Sequence, residues 1–102
     1  MATVSELGEN WTTAAGNKPV TATPAVDDLI VVVHGMSGQA GADNSTITDD
    51  QAGVYTKIGA SPLSTGGGTA GALWISIRNA LISSAVSTIF TATNTGDTGG
   101  GL

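Results

Sequence analysis

Cysteine is absent from this 102-residue chain, so neither a disulfide scaffold nor a thiolate metal site can be built from it. Cations are nearly as scarce. Lys18, Lys57 and Arg78 stand against eight Asp and Glu, for a net charge of −5 and an isoelectric point near 4.2. Binding to nucleic acid or to anionic lipid needs a clustered basic footprint. Three scattered cations cannot make one, so neither partner is expected. Long apolar runs are missing too. The longest, Leu29 to Val33, falls far short of the roughly 20 residues of a membrane helix. Residues 1–10 have neither the basic start nor the apolar centre of a secretory signal, which makes the cytoplasm the expected place of synthesis. Charged residues make up only 11% of the chain, where about 25% is usual.

Apolar residues and turn formers take up the space these absences leave. A hydrophobic fraction of 40% and a mean hydropathy of +0.20 supply a core and argue against disorder. The length suits one domain. A chain of this size buries about two-thirds of its extended surface, too little to wall in a large catalytic cavity.

Residues 1–10 are polar and acidic and read as an extended N-terminal arm, leaving 11–102 as the domain. Lys18 to Thr23 alternates β-branched and small residues and reads as a half-buried strand that Pro24 ends. Ala25 to Asp28 reads as a turn closed by Asp side chains. The run Leu29–Val33, rich in β-branched residues, predicts a central strand buried on both faces. Gly35 to Asn44 reads as a loop. Ser45–Thr48 and Val54–Ile58, separated by Asp49–Gly53, read as a hairpin. Gly59 to Gly71 is a second loop. From Ala72 to Phe90 a helical stripe can be drawn through Trp74, Ile77, Leu81, Ala85 and Ile89. Alternation and β-branched content instead favour two strands, about 71–79 and 86–95. Gly96 to Gly101 reads as a final turn.

Six or seven short strands between Gly, Asp and Pro turns predict an all-β, antiparallel sandwich, jelly-roll or immunoglobulin-like. Such a sandwich would launch a further strand after Leu102, and without it one strand edge stays open. Two explanations stand side by side: a longer polypeptide supplies the strand, or a neighbouring chain completes the sheet by strand addition.

No catalytic, cofactor or metal residue is assigned. His34, the single histidine, follows the apolar run and reads as a strand-end residue facing solvent or a neighbour, with only Asp27 and Asp28 near it in sequence. Asp43, Asn44, Asp49 and Asp50 have oxygen ligands for calcium but lack the spacing of an EF-hand loop, and turn capping accounts for them. The glycine-rich run from Gly66 to Gly71 lacks the Lys-Ser/Thr of a phosphate loop. Trp11, Tyr55, Trp74 and Phe90 read mostly as core anchors.

Three stretches resemble a known family: Lys18-Pro-Val-Thr-Ala-Thr-Pro-Ala-Val-Asp-Asp-Leu-Ile-Val-Val-Val33, Ile47-Thr-Asp-Asp-Gln-Ala-Gly-Val-Tyr-Thr56, and Ala80-Leu-Ile-Ser-Ser-Ala85 running on to Thr95-Gly-Asp-Thr-Gly-Gly-Gly-Leu102. Together they are similar to β-sandwich domains of tailed-bacteriophage virion proteins, of the head-decoration and fibre kind. Asp27 stands where that pattern usually has glycine, and its last strand would follow Leu102. The resemblance brings no catalytic residues. It implies a non-enzymatic structural protein of the virion, on the capsid surface, partnered by the major capsid protein or other virion proteins and by copies of itself. The alternative is a fibre or adhesin module that binds host-surface glycan.

Overall fold

The computed structural model describes residues 3–38, 44–59, 64–65, 71–95 and 97–102. These contain no helix. Their strands, in chain order, are β1 (Trp11–Thr12), β2 (Lys18–Ala22), β3 (Val31–Gly38), β4 (Ser45–Asp49), β5 (Tyr55–Lys57), β6 (Ser64–Thr65), β7 (Ala72–Arg78), β8 (Thr88–Asn94) and β9 (Asp97–Gly101). One sheet has the order β1-β9-β3-β7-β5, with β6 also on β7; the other has the order β2-β8-β4. Every pairing is antiparallel. The chain is an all-β sandwich.

The period of two decides which side chains meet. From the larger sheet Val32 and Met36 turn inward, as do Ala72 and Trp74; from the smaller sheet come Ile47, Phe90 and Ala92. Ile30, Val32, Ile47, Ile82, Phe90 and Leu102 form the main apolar cluster, with Val20 and Tyr55 against it. Each large side chain buried here contributes about 1.5–3 kcal/mol by transfer from water. Met36, Ala72 and Trp74 make a smaller cluster of their own.

The strands at Lys18–Ala22, Ser45–Asp49, Ala72–Arg78 and Thr88–Asn94 and the turn at Ala25–Asp28 fall where the sequence places them. In that turn the Asp28 carboxylate accepts the Ala25 N–H at 2.8 Å. Four expectations are corrected, besides the second loop, 59–71, within which Ser64–Thr65 form the short strand β6 on β7. Leu29–Val33 is buried on one face only, because the smaller sheet covers the inner side alone: Leu29, Val31 and Val33 are 56%, 53% and 46% exposed. The strand β3 then runs on through Gly38, into the segment read as a loop; residues 39–43 lie outside the described ones. Ser45–Asp49 and Tyr55–Lys57 do not form a hairpin, since β4 pairs with β8 and β5 with β7. The link between them crosses from one sheet to the other, and Asp49 holds the corner. Its carboxylate accepts the N–H groups of Gln51 and Gly53, the Tyr55 hydroxyl and the Arg78 Nε–H, all between 2.8 and 3.0 Å.

The fourth correction is the glycine run, which is strand and not turn. Glycine weakens strands in general, but β9 is threaded between β1 and β3 where little else fits. A Cβ on Gly101 would meet the Asn10 carbonyl at 2.2 Å, and one on Gly100 would meet the Gly35 carbonyl at 2.4 Å.

Two outcomes follow from the backbone. Asp27 has φ 69°, in the left-handed region. Asp27→Val should lower stability by about 1–2 kcal/mol while Asp27→Gly is tolerated, as read by chemical denaturation. Gly101→Ala should cost about 1–3 kcal/mol through overpacking, read the same way.

Candidate functional site

A polar layer crosses the middle of the core. His34, on β3, is fully buried, not at a solvent-facing strand end as its sequence position suggests. Its Nδ1 lies 2.7 Å from Ser45 Oγ on β4 in the opposite sheet, and its Nε2 lies 2.8 Å from Ser76 Oγ on β7 in its own sheet. Ser45 also donates to Asn94 Oδ1 at 2.6 Å. The imidazole stacks on Trp74, with centroids 5.8 Å apart, and Lys57 Nζ sits 5.4 Å from the centre of that indole. Serine beside histidine at this distance has the outline of a nucleophile and its base. Yet Ser45, His34 and Ser76 are all enclosed, and no substrate reaches them in this arrangement. The layer instead ties sheet to sheet, satisfying polar groups whose isolated burial would be costly.

Burial, helped by the Lys57 charge, lowers the His34 pKa to about 4. Asp49 is held below the ordinary carboxylate range as well. Burial alone would raise it, but the hydrogen bonds from Gly53, Tyr55, Arg78 and Gln51 outweigh that effect. Burial and the Asp49 carboxylate in turn push the Tyr55 hydroxyl upward.

The remaining sequence candidates do not converge. Asp49 is spent on Arg78 and its turn, Asp50 accepts the Ile89 N–H, and Asn44 donates to the Thr95 carbonyl. Asp43 and residues 66–70 lie outside the described residues. Among the described residues no three His, Asp or Glu side chains gather to hold a metal ion. Of the aromatics, Trp74 and Phe90 are core residues, Tyr55 is half-buried, and Trp11 is 49% exposed.

The surface that stands out is the outer face of the larger sheet. Register places Val31 beside Ile77 and Val33 beside Ile75, and Gly35 beside Leu73. Along this stretch of β3 and β7 every outward position is apolar or glycine. Trp11, paired to Gly101 and so on the same face, lays its indole over the two glycines: a Cβ on Gly35 would sit 3.6 Å from its ring. Contiguous apolar surface of this kind marks contact with other molecules. The sequence reading missed this face because Leu29–Val33 looked buried on both sides. The pairing of these strands, which puts their open faces together, has no signal in a local window.

Comparison with family models, with curated proteins and with solved structures finds no match to this chain.

The His34 environment sets the acid response. Below pH 6.5 an unfolded chain protonates its imidazole, whereas the folded one resists until about pH 4. Between these values the unfolded state holds more protons, so stability falls as pH falls and levels off below the window, by an amount on the order of 3 kcal/mol. Thermal melts from pH 7 to 4 should show that decline, and His34→Gln should flatten it.

Proposed function

We propose that this chain is a non-enzymatic structural subunit of a bacteriophage particle, decorating or cementing the capsid through contacts with neighbouring subunits. The observation that carries the reading is the uncharged outer face spanning Val31, Val33, Leu73, Ile75 and Ile77. A rigid sheet with one bare face suits attachment. On a shell that repeats one site many times, modest contacts gain strength through multivalency. The direction toward a virion comes from the resemblance of residues 18–33, 47–56 and 80–102. It is supported by one further detail. Asp27 takes a left-handed φ of 69° at the position where the similar domains have glycine, the residue that conformation favours.

The half-exposed indole of Trp11 is what favours a second reading, as a glycan-binding fibre module. Sugars stack on such rings, and Trp11 lines a groove with Glu6, Glu9, Asp27 and Asp28, but the ring itself lies over Gly35 and Gly101 at the margin of the apolar face. The capsid reading is therefore preferred.

Purified particles carrying the protein, imaged by cryo-microscopy, should place copies on the capsid lattice with this sheet face in contact. Leu73→Glu should leave the melting temperature within a few degrees of the parent and reduce occupancy on particles about tenfold. Absence from particles, or a hit on a glycan array that Trp11→Ala removes, would turn the reading over.

A further inference from the structure

Three rows of residues cross the outer face of the larger sheet. Register aligns Trp11, Gly101, Gly35 and Leu73 in the first. Val33, Ile75 and Ile58 make the second, where the Ile58 N–H donates to the Ile75 carbonyl at 2.9 Å. Val31, Ile77 and Thr56 make the third, and Leu29 follows on the same side of the chain. The Trp11 indole lies over the two glycines, so the first row has no gap. From Ile58 to Ile77 the sequence runs for twenty residues without a charge.

Trp11, Leu29, Val31, Val33, Ile58 and Leu73 are each 37–56% exposed, and Ile75 and Ile77 are half-buried. Together they offer on the order of 500 Å² of apolar surface, a patch of the size that marks a contact. Two such faces bury about 1,000 Å² when joined, which reaches the lower bound for a specific interface between proteins. A strand prolonging β9 past Leu102 would lie in the plane of the sheet, beside Val31 and Val33, and leave this face open. Charge selects the occupant. The rows hold no group to attract a charged partner, while Glu6, Glu9, Asp27 and Asp28 stand to one side, against Leu29–Val33. A second copy meets the face with the same area and the same lack of charge.

We infer that two copies pack through this face about a twofold axis that runs along the middle row, across the strands. The contact is then the same patch on both subunits. An axis parallel to the strands would bring the two sets of four carboxylates to one end of the dimer. The axis across the strands sends them to opposite ends, with each β3 antiparallel to its counterpart. Sheets packed face to face stand about 10 Å apart, so the rows interdigitate as the two inner faces of a sandwich do. Val33, in the middle row, meets the partner's Val33. The inference rests on the reading of this face as a site of attachment and names the chain itself as what attaches there.

Sedimentation equilibrium of the full-length protein should show monomer and dimer in exchange, with a dissociation constant of micromolar order. Val33→Glu and Val33→Lys should each weaken the dimer about a hundredfold, because like charges meet on the axis. An equimolar mixture of the two should return to within about tenfold of the parent affinity, a recovery that variants damaged in folding do not give. If either variant fails to fold, isotope-filtered NOEs between labelled and unlabelled parent copies decide, and should link Val33 methyls across the pair. A protein still monomeric at about 100 µM overturns the inference. So does a further segment of the same polypeptide found lying on the face, or a dimer that both single variants retain. A monomer that loads onto particles through this face removes the dimer and leaves the capsid reading standing, whereas a dimer absent from particles does the reverse.

Discussion

A three-stranded sheet packs on one side of a six-stranded one, and that two-layer arrangement governs most of what is distinctive here. β2, β8 and β4 can shield only the inner side of β3 and β7, so the apolar residues of those strands divide between a dry core and an uncovered exterior. Val32 belongs to the first and Val31 and Val33 to the second, although all three sit in one uninterrupted aliphatic run. The early part of β3 has one bonded edge for a separate reason, since β9 meets it only from Gly35 to Gly38. The face is bare because a two-layer sandwich covers each sheet on one side only.

Within the covered region, polar groups are placed where they select one arrangement of the two sheets. His34 bonds to Ser76 in its own sheet and to Ser45 across the gap, and Asn94 completes the chain of contacts. A slip of either strand by one residue would exchange these partners for solvent-side neighbours and strand an imidazole in the core. Apolar packing is tolerant of such slips; a hydrogen-bonded histidine is not. Asp49 does the same at the corner between β4 and β5, where a single carboxylate serves four donors. Both groups owe their displaced proton affinities to these positions.

Local pattern carried much of the fold. Alternation at Lys18–Ala22 and Thr88–Asn94 was sufficient to read strands, and β-branched content outweighed the helical stripe through Trp74 and Ile77. Non-local information was not legible. Nothing near Asp49 indicates that its ion-pair partner is Arg78, and without that the step between sheets looks like a hairpin. Glycines 99–101 look like a turn until β1 and β3 are seen to close on them. His34 follows five apolar residues, and only the serines of two distant strands explain why it lies inside. The outer face was hidden for a related reason, since one strand cannot report how many layers will cover it.

The first and last strands of the described chain, β1 and β9, are neighbours, and β2 pairs with β8. Closing such distant pairings is slow, because the entropy of the intervening loops must be overcome before their contacts form. During synthesis the ribosome delivers β1, β2 and β3 long before β8 and β9, so the early strands emerge without the partners that define their register. Completion of either sheet waits on residues 88–101. Until then the nascent chain presents its Val-rich segment to whatever chaperone stands at the exit tunnel.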